Sequence, residues 1–457
     1  MSLPIYPKYK SSGMEWLGNV PEHWKVRSLK HVVSTPITDG PHETPVFSDV
    51  GIPFVSAEAV AGGKIDFSKI RAHISLEDHH RYSAKYSPKR HDIYMVKSGA
   101  TTGVTAIVDT DIEFNIWSPL AAIRCDHEIA HPLYILNFLR SRNFQEAVTL
   151  NWSFGTQQNI GMGVLGNLSV VLPPLEEQFA IATFLRFETA KIDALISEQE
   201  KLITLLAEKR QTTISHAVTK GLNPDVPMKD SGVEWLGEVP EHWRAARLKL
   251  LFEDVKAGPF GSALTKDMYV SSGYRVYGQE QVIPADFSIG DYYINQEKFD
   301  ELQQYSIRPN DILISCVGTF GRIAIVPVGV EPGVINPRLI RIRVVGSVLP
   351  QYLTTVLRSS VVFEQFSLFS RGGTMDVISI GTLSEIIVTV PPNDEQRNII
   401  AFLNAENSRV DELSAEALRG IALLKERRSA LISAAVTGKI DVRQAVQQEQ
   451  ITIQEAA

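Results

Sequence analysis

The chain has 457 residues, a 44% apolar composition and a formal net charge of −7. That length holds several ordinary domains, and that apolar content belongs to folded cores rather than to a disordered or fibrous chain. The acidic balance excludes a nonspecific, histone-like binder of nucleic acid, but not a sequence reader whose basic groups are local and whose grip is shared with basic partner chains.

The first ten residues contain no apolar stretch of the secretory-signal kind, and no run is long enough to cross a bilayer. Cys125 and Cys316 are the only cysteines. Their spacing suits neither a disulfide framework nor a metal site, so they read as core thiols in a reducing, cytoplasmic setting.

The chain is an internal duplication. Its head segment (residues 1–24) carries Gly-x-Glu-Trp-Leu-Gly-x-Val-Pro-Glu-His-Trp at 13–24, and the same string returns at 232–243. Residues 25–172 follow as a variable domain. They contain short β-type runs, such as 93–96 and 105–108, and a helical stretch near 132–147. Residues 173–218 then open on Pro173-Pro174 with Glu177-Gln178 and continue without Pro or Gly, which predicts one long helix. Residues 219–243 form a linker and the second head. Residues 244–390 are a second variable domain, with runs at 312–315, 323–326 and 339–344 and a helical stretch near 350–366. Residues 391–437 repeat the helix, with Pro391-Pro392 and Glu395-Gln396 at its start. Residues 438–457 read as a flexible tail.

Heads and helices repeat closely, whereas the two interiors share only a skeleton: Asp92-Ile93 and Ala106-Ile107-Val108 against Asp311-Ile312 and Ala324-Ile325-Val326, and Gly155-Thr156 against Gly373-Thr374. In the first helix Leu185, Ile192 and Leu206 fall on sevens, with Leu195 three residues after Ile192. In the second, Leu403, Val410 and Leu424 repeat the phase, with Leu413 as the companion. Such seams suit pairing of the two helices as a coiled coil, antiparallel if the halves are pseudo-twofold related. At 1.5 Å per residue each helix of about 40 residues spans about 60 Å. The expected architecture is therefore α+β, with two variable domains separated by a pair of long antiparallel helices.

Three polar loops of the first variable domain carry side chains suited to base edges and phosphates. Residues 38–44 offer Thr38, Asp39, His42 and Thr44. Residues 97–103 offer Lys97, Ser98, Thr101 and Thr102. Residues 152–159 offer Trp152, Gln157, Gln158 and Asn159. The second domain supplies Lys256, Phe260 and Ser262, then Arg322, and then Arg371 and Thr374. Arg338 heads a basic strand with Arg341 and Arg343, which suits either phosphate or a solvated face. Each loop taken alone is equally an ordinary turn.

No catalytic constellation emerges. Residues 161–166 spell Gly-x-Gly-x-x-Gly, yet a polar loop precedes them and a β-type run follows, the wrong context for a dinucleotide. No Asn-Pro-Pro-aromatic or Asp-Pro-Pro-aromatic tetrapeptide of amino-methyltransferases occurs. Eight of the eleven histidines lie in the first variable domain, including His79, His80 and His91, without metal-type spacing.

The head string, the Pro-Pro-x-x-Glu-Gln start of each long helix and the duplicated layout resemble the specificity subunit of Type I restriction–modification systems. The loops at 38–44 and 258–262 are also similar to common segments of its target recognition domains. The resemblance implies that each variable domain is a target recognition domain reading one half of a bipartite double-stranded DNA site, with the paired helices setting the gap. It implies two modification subunits that methylate adenine with S-adenosylmethionine, and restriction subunits using ATP and Mg. No cofactor would then belong to this chain, and no membrane is involved. The alternatives of other classes are a stand-alone adenine methyltransferase and a helical scaffold that never reads DNA.

Overall fold

The computed structural model describes residues 3–60, 63–154, 158–316, 322–369 and 378–445. The chain divides into two compact units, one made of Met1–Gln199 with Arg419–Ala457 and the other of Glu200–Leu418. Each unit therefore takes part of both long helices, Leu175–Lys220 and Asn393–Val436.

In the first unit a four-stranded antiparallel sheet runs in the order Thr38–Asp39, Leu120–Ile123, Ile93–Val96, Thr105–Ile107. Its central strands are buried on both faces, which explains their unbroken apolar runs. Alternate residues serve different cores. Ile93, Met95, Ala121 and Ile123 face the core shared with the long helices, and Tyr94, Val96, Leu120 and Ala122 face a smaller one. A three-stranded sheet completes the domain, with Ile52–Val55 antiparallel to Ala72–Ile74 and parallel to Asn115–Ile116. The second unit repeats the topology. Phe252–Ala257, Leu339–Val344, Ile312–Ser315 and Ile323–Ile325 form its larger sheet, and Tyr293–Ile294, Tyr274–Tyr277 and Gly333–Ile335 its smaller one.

Each domain begins and ends on one strand pair, Lys25–Ser28 with Ser169–Leu172 and Arg244–Arg247 with Ile387–Val390. These pairs deliver the chain from the head and into the long helix. There the recurring motifs meet. The indole of the fully buried Trp24 donates to Glu177 at 3.0 Å, and His23 bonds the same carboxylate at 2.7 Å. Trp243 and His242 meet Glu395 at 2.9 and 2.6 Å. Both carboxylates sit in the first helical turn, where the helix dipole favours negative charge. The adjoining glutamine closes the joint. Gln178 accepts from the His131 backbone N–H and donates to the Ile129 and Pro173 carbonyls, and Gln396 does the same with Leu349, Ser347 and Pro391.

The long helices run antiparallel within each unit. In the first, Asp193 pairs with Arg428 at 2.8 Å while Ile181 and Leu185 share a core with Ile432, Ala435 and Val436, so one index rises as the other falls. In the second, Arg210 pairs with Asp411, and Ile214, Ala217 and Val218 share a core with Ile399 and Leu403. Leu185, Ile192, Leu206, Leu403 and Val410 are buried and Leu424 is half-buried, all on the seam. The companions differ from the sequence expectation. Leu195 is 53% exposed and Leu413 42%, whereas Ile196, Ile203 and Ser414 are half-buried and Ile421 is buried. Leu195-Ile196 and Leu202-Ile203 are both apolar pairs, so the sequence admits a step of three or of four. The flanking pairs Asp193–Arg428 and Arg210–Asp411 fit the rotation that takes four.

Candidate nucleic-acid interface

In the first unit all three polar loops meet at one end of the larger sheet. The loop at 38–44 leaves the sheet through Gly40, packed so closely on the Ile116 carbonyl that a Cβ there would collide with it. Gly258 stands in the same way against the Asn336 carbonyl in the second unit, which accounts for the recurring Gly-Pro at both places. The loop at 97–103 is closed by the Thr102 hydroxyl donating to the Gly99 carbonyl at 2.7 Å. Backbone bonds from Gly99 to Gln158 and from Ile160 to Lys97, at 3.0 and 2.8 Å, stitch the hairpin of Ser153–Phe154 and Gln158–Asn159 onto it. The Lys97 N–H donates to the Pro119 carbonyl.

Asp39 sits at the centre. Its buried carboxylate receives Lys97 at 2.8 Å, Lys85 at 3.0 Å and His42 at 2.9 Å. Lys85 also bonds the Asp39 carbonyl at 2.9 Å. Burial alone would raise this carboxyl, but hydrogen bonds from Lys97 and Lys85 outweigh it and bring the pKa down to about 2. A cavity of about 210 Å³ opens beside the carboxylate, between this loop and the helix Leu76–Ser83. Glu43 and Arg81, 3.0 Å apart, stand among its lining residues.

The second unit gathers its loops in the same register. The Cys316 N–H donates to the Arg338 carbonyl, and the Ile378 N–H donates to the Cys316 carbonyl. The Arg338 guanidinium lies 3.4 Å from the Gln279 side-chain oxygen.

Of the candidate contact residues, His42, Thr44, Gln158, Asn159, Phe260, Ser262, Arg322 and Arg338 are exposed, with Phe260 at 72%. Thr38, Lys97, Ser98, Thr101, Thr102 and Lys256 are half-buried, and Asp39 is buried. Trp152 packs on the main core, its indole N–H buried with no partner among the described residues, so its ring serves the domain interior. Gln157, Arg371 and Thr374 lie outside the described residues.

Arg341 and Arg343 face neither phosphate nor solvent. Arg341 is 1% exposed and pairs with Asp254, and Arg343 pairs with Asp311 at 2.9 Å. The first unit holds the counterpart of the latter, Arg124 on Asp92 at 2.6 Å. The recurring Asp-Ile signature is thus one half of an internal ion pair. Sequence reasoning missed Lys85, Arg81 and Gln279. Lys85 reaches Asp39 from 46 residues away, and no local pattern announces that contact.

Cys125 and Cys316 are buried, and burial pushes the Cys125 thiol up to about 12. Among the described residues no helix is long and apolar enough to cross a membrane, and no group of three His, Cys, Asp or Glu side chains is placed to hold a metal.

A family profile described as "Type I restriction modification DNA specificity domain" matches residues 21–204 and 252–416. The chain is 25% identical over 439 residues to the chain assigned as specificity subunit of the MjaX type I restriction enzyme of Methanocaldococcus jannaschii, covering 93% of this chain and 96% of that one. It is 23% identical over 359 residues to the type I restriction enzyme EcoBI specificity subunit of Escherichia coli, covering 73% of each. Among solved structures, one from work on complex assembly and conformational transition of the type I R-M system superposes with a TM-score of 0.62 at 20% identity, over 91% of this chain and 98% of that one. The HsdS subunit from Thermoanaerobacter tengcongensis gives 0.50 at 18% identity, over 92% and 98%.

Proposed function

The chain belongs to the Type I restriction–modification DNA specificity family, and from that premise we propose that its two sheet ends read the two unlike halves of a bipartite site in double-stranded DNA. Its function is that of the DNA-specificity subunit of such a system. The observation that carries the finer reading is the repeated gathering of loops at the same end of an otherwise matching sheet, with different side chains on each. In the first unit His42, Thr44, Ser98, Thr101, Gln158 and Asn159 supply donors and acceptors for base edges and phosphates; in the second, Phe260, Ser262, Arg322 and Arg338 do.

The chemistry is assigned to partners. Two modification subunits would bring S-adenosylmethionine and methylate adenine, and restriction subunits would bring ATP and Mg. A cytoplasmic location fits the two buried thiols. The leucines left outside the helical seam, Leu195, Leu202 and Leu413 among them, support docking of such partners along the long helices.

A binding selection on random duplexes, run with the chain and its modification subunits, tests the reading. It should return two unlike short motifs separated by a fixed unspecified gap. A single continuous motif, or none, refutes it. Methylation by the purified chain with S-adenosylmethionine alone would move the chemistry onto this chain.

A further inference from the structure

The two reading ends are held by different physical means, and the difference sits at matched positions. Asp39 pairs with Ala121 in the edge of the first sheet, as Ala257 pairs with Ile340 in the second. Val96 faces Leu120 as Ser315 faces Leu339, so Lys97 and Cys316, the next residues, correspond. Their backbone bonds agree, Ile160 to Lys97 and Ile378 to Cys316. Tyr86 and Tyr305 follow Lys85 and Gln304, and stand six residues before Asp92 and Asp311. The set Asp39, Lys85, Lys97 in the first unit thus becomes Ala257, Gln304, Cys316 in the second.

We propose that Asp39, Lys85 and Lys97 form a positioning network that fixes the loop at 38–44 for reading the first half-site, with Asp39 and Lys97 buried beneath the loop rather than touching the bases; this rests on the assignment of that loop to DNA reading given above. The Asp39 and Lys97 side chains are each only 11% exposed, so neither is presented to a duplex. One carboxylate joins three elements: Lys97 at the end of the central strand, Lys85 beyond the helix Leu76–Ser83 and His42 on the loop itself. Gly40 pins the loop at its base on the Ile116 carbonyl, and the network fixes its direction from there. Two lysines on one buried carboxylate leave excess positive charge beneath the loop, which also favours a nearby phosphate. The second unit has no charged side chain at any of the three positions.

The test transplants the second unit's solution into the first. The triple variant D39A/K85Q/K97C removes the network as a whole, so no charge is left buried without a partner. It is compared with D39N, with the conservative K97R and with the loop-tip variant T44A, each in complex with the modification subunits. Binding selection reads both half-sites, and thermal unfolding checks folding. The expected result is a loss of discrimination in the first half-site of about tenfold or more, the factor that one good base contact supplies, with the second half-site unchanged. D39N should do the same, K97R should retain most of the discrimination, and T44A should alter the first half-site alone. If T44A alters that half-site while folded D39A/K85Q/K97C and D39N both read it as before, the positioning role is overturned and the loop assignment survives. If T44A changes nothing, the loop assignment fails and the positioning role fails with it.

Discussion

The two units are alike where the chain meets its own helices and unlike where it is free to meet something else. Asp92–Arg124 and Asp311–Arg343 are the same buried ion pair twice, and Trp24–Glu177 and Trp243–Glu395 the same joint twice. At the sheet end the correspondence stops: a carboxylate between two lysines faces an alanine, a glutamine and a cysteine. A duplicated frame can hold two different readers only if the frame's own contacts do not depend on the loops, and neither the joints nor the ion pairs use a side chain of the loops at 38–44, 97–103 or 258–262. Even the joints differ in one respect. Glu177 also receives Tyr6 and Arg443 and is 10% exposed, whereas Glu395 lacks both and is 38% exposed.

The largest way to break the comparison is at the joints. Replacing Trp24 by Ala removes a fully buried indole and leaves Glu177 short of a donor, at an expected cost of about 3–5 kcal/mol. W243A should cost less, because its carboxylate is already half in water. Denaturant unfolding of the two variants measures the difference, and a larger cost for W243A would break the account of the joints. Next comes the ion pair: D92A strands Arg124 and should cost about 3 kcal/mol, with D311A at least as damaging because Arg343 and its neighbour Arg341 both face Asp311. A near-neutral D311A would show that the second unit's charges are solvated after all.

Acid should separate the units more gently. The Asp39 carboxyl is lowered in the folded state, so its contribution is present above the ordinary value of 3.8 and is lost as pH falls through about 2. Ala257 at the matched position has nothing to titrate. Amide exchange between pH 4 and pH 2 should therefore loosen residues 38–44 before residues 256–262, and simultaneous loosening would contradict the difference. The smallest effect concerns the seam. L195A should change stability by less than about 0.5 kcal/mol, while I196A should cost about 1 kcal/mol.

Much of this was legible in the sequence because it was written twice. The head string, Pro-Pro-x-x-Glu-Gln and the sevens of Leu185, Ile192, Leu403 and Val410 each recur, and a recurrence exposes a constraint that a single copy hides. Two kinds of fact stayed hidden. Where adjacent residues were both apolar, as Leu195 and Ile196 are, periodicity could not choose, and the flanking ion pairs that accompany the choice come from the other helix. Where a charge found its partner far along the chain, as Lys85 finds Asp39 or Arg341 finds Asp254, composition suggested a surface and burial reversed it. The basic strand suited either phosphate or a solvated face in the sequence, whereas its Arg341 and Arg343 turn inward onto Asp254 and Asp311.

The central claim is that each domain reads one half-site independently, on a frame that does not read at all. Its most direct test exchanges residues 25–172 for the corresponding segment of another specificity subunit and maps adenine methylation in cells that also carry the modification subunits. The account predicts a new first half-site beside the original second half-site, with the gap between them unchanged. A change in both halves, or in the gap alone, would contradict it.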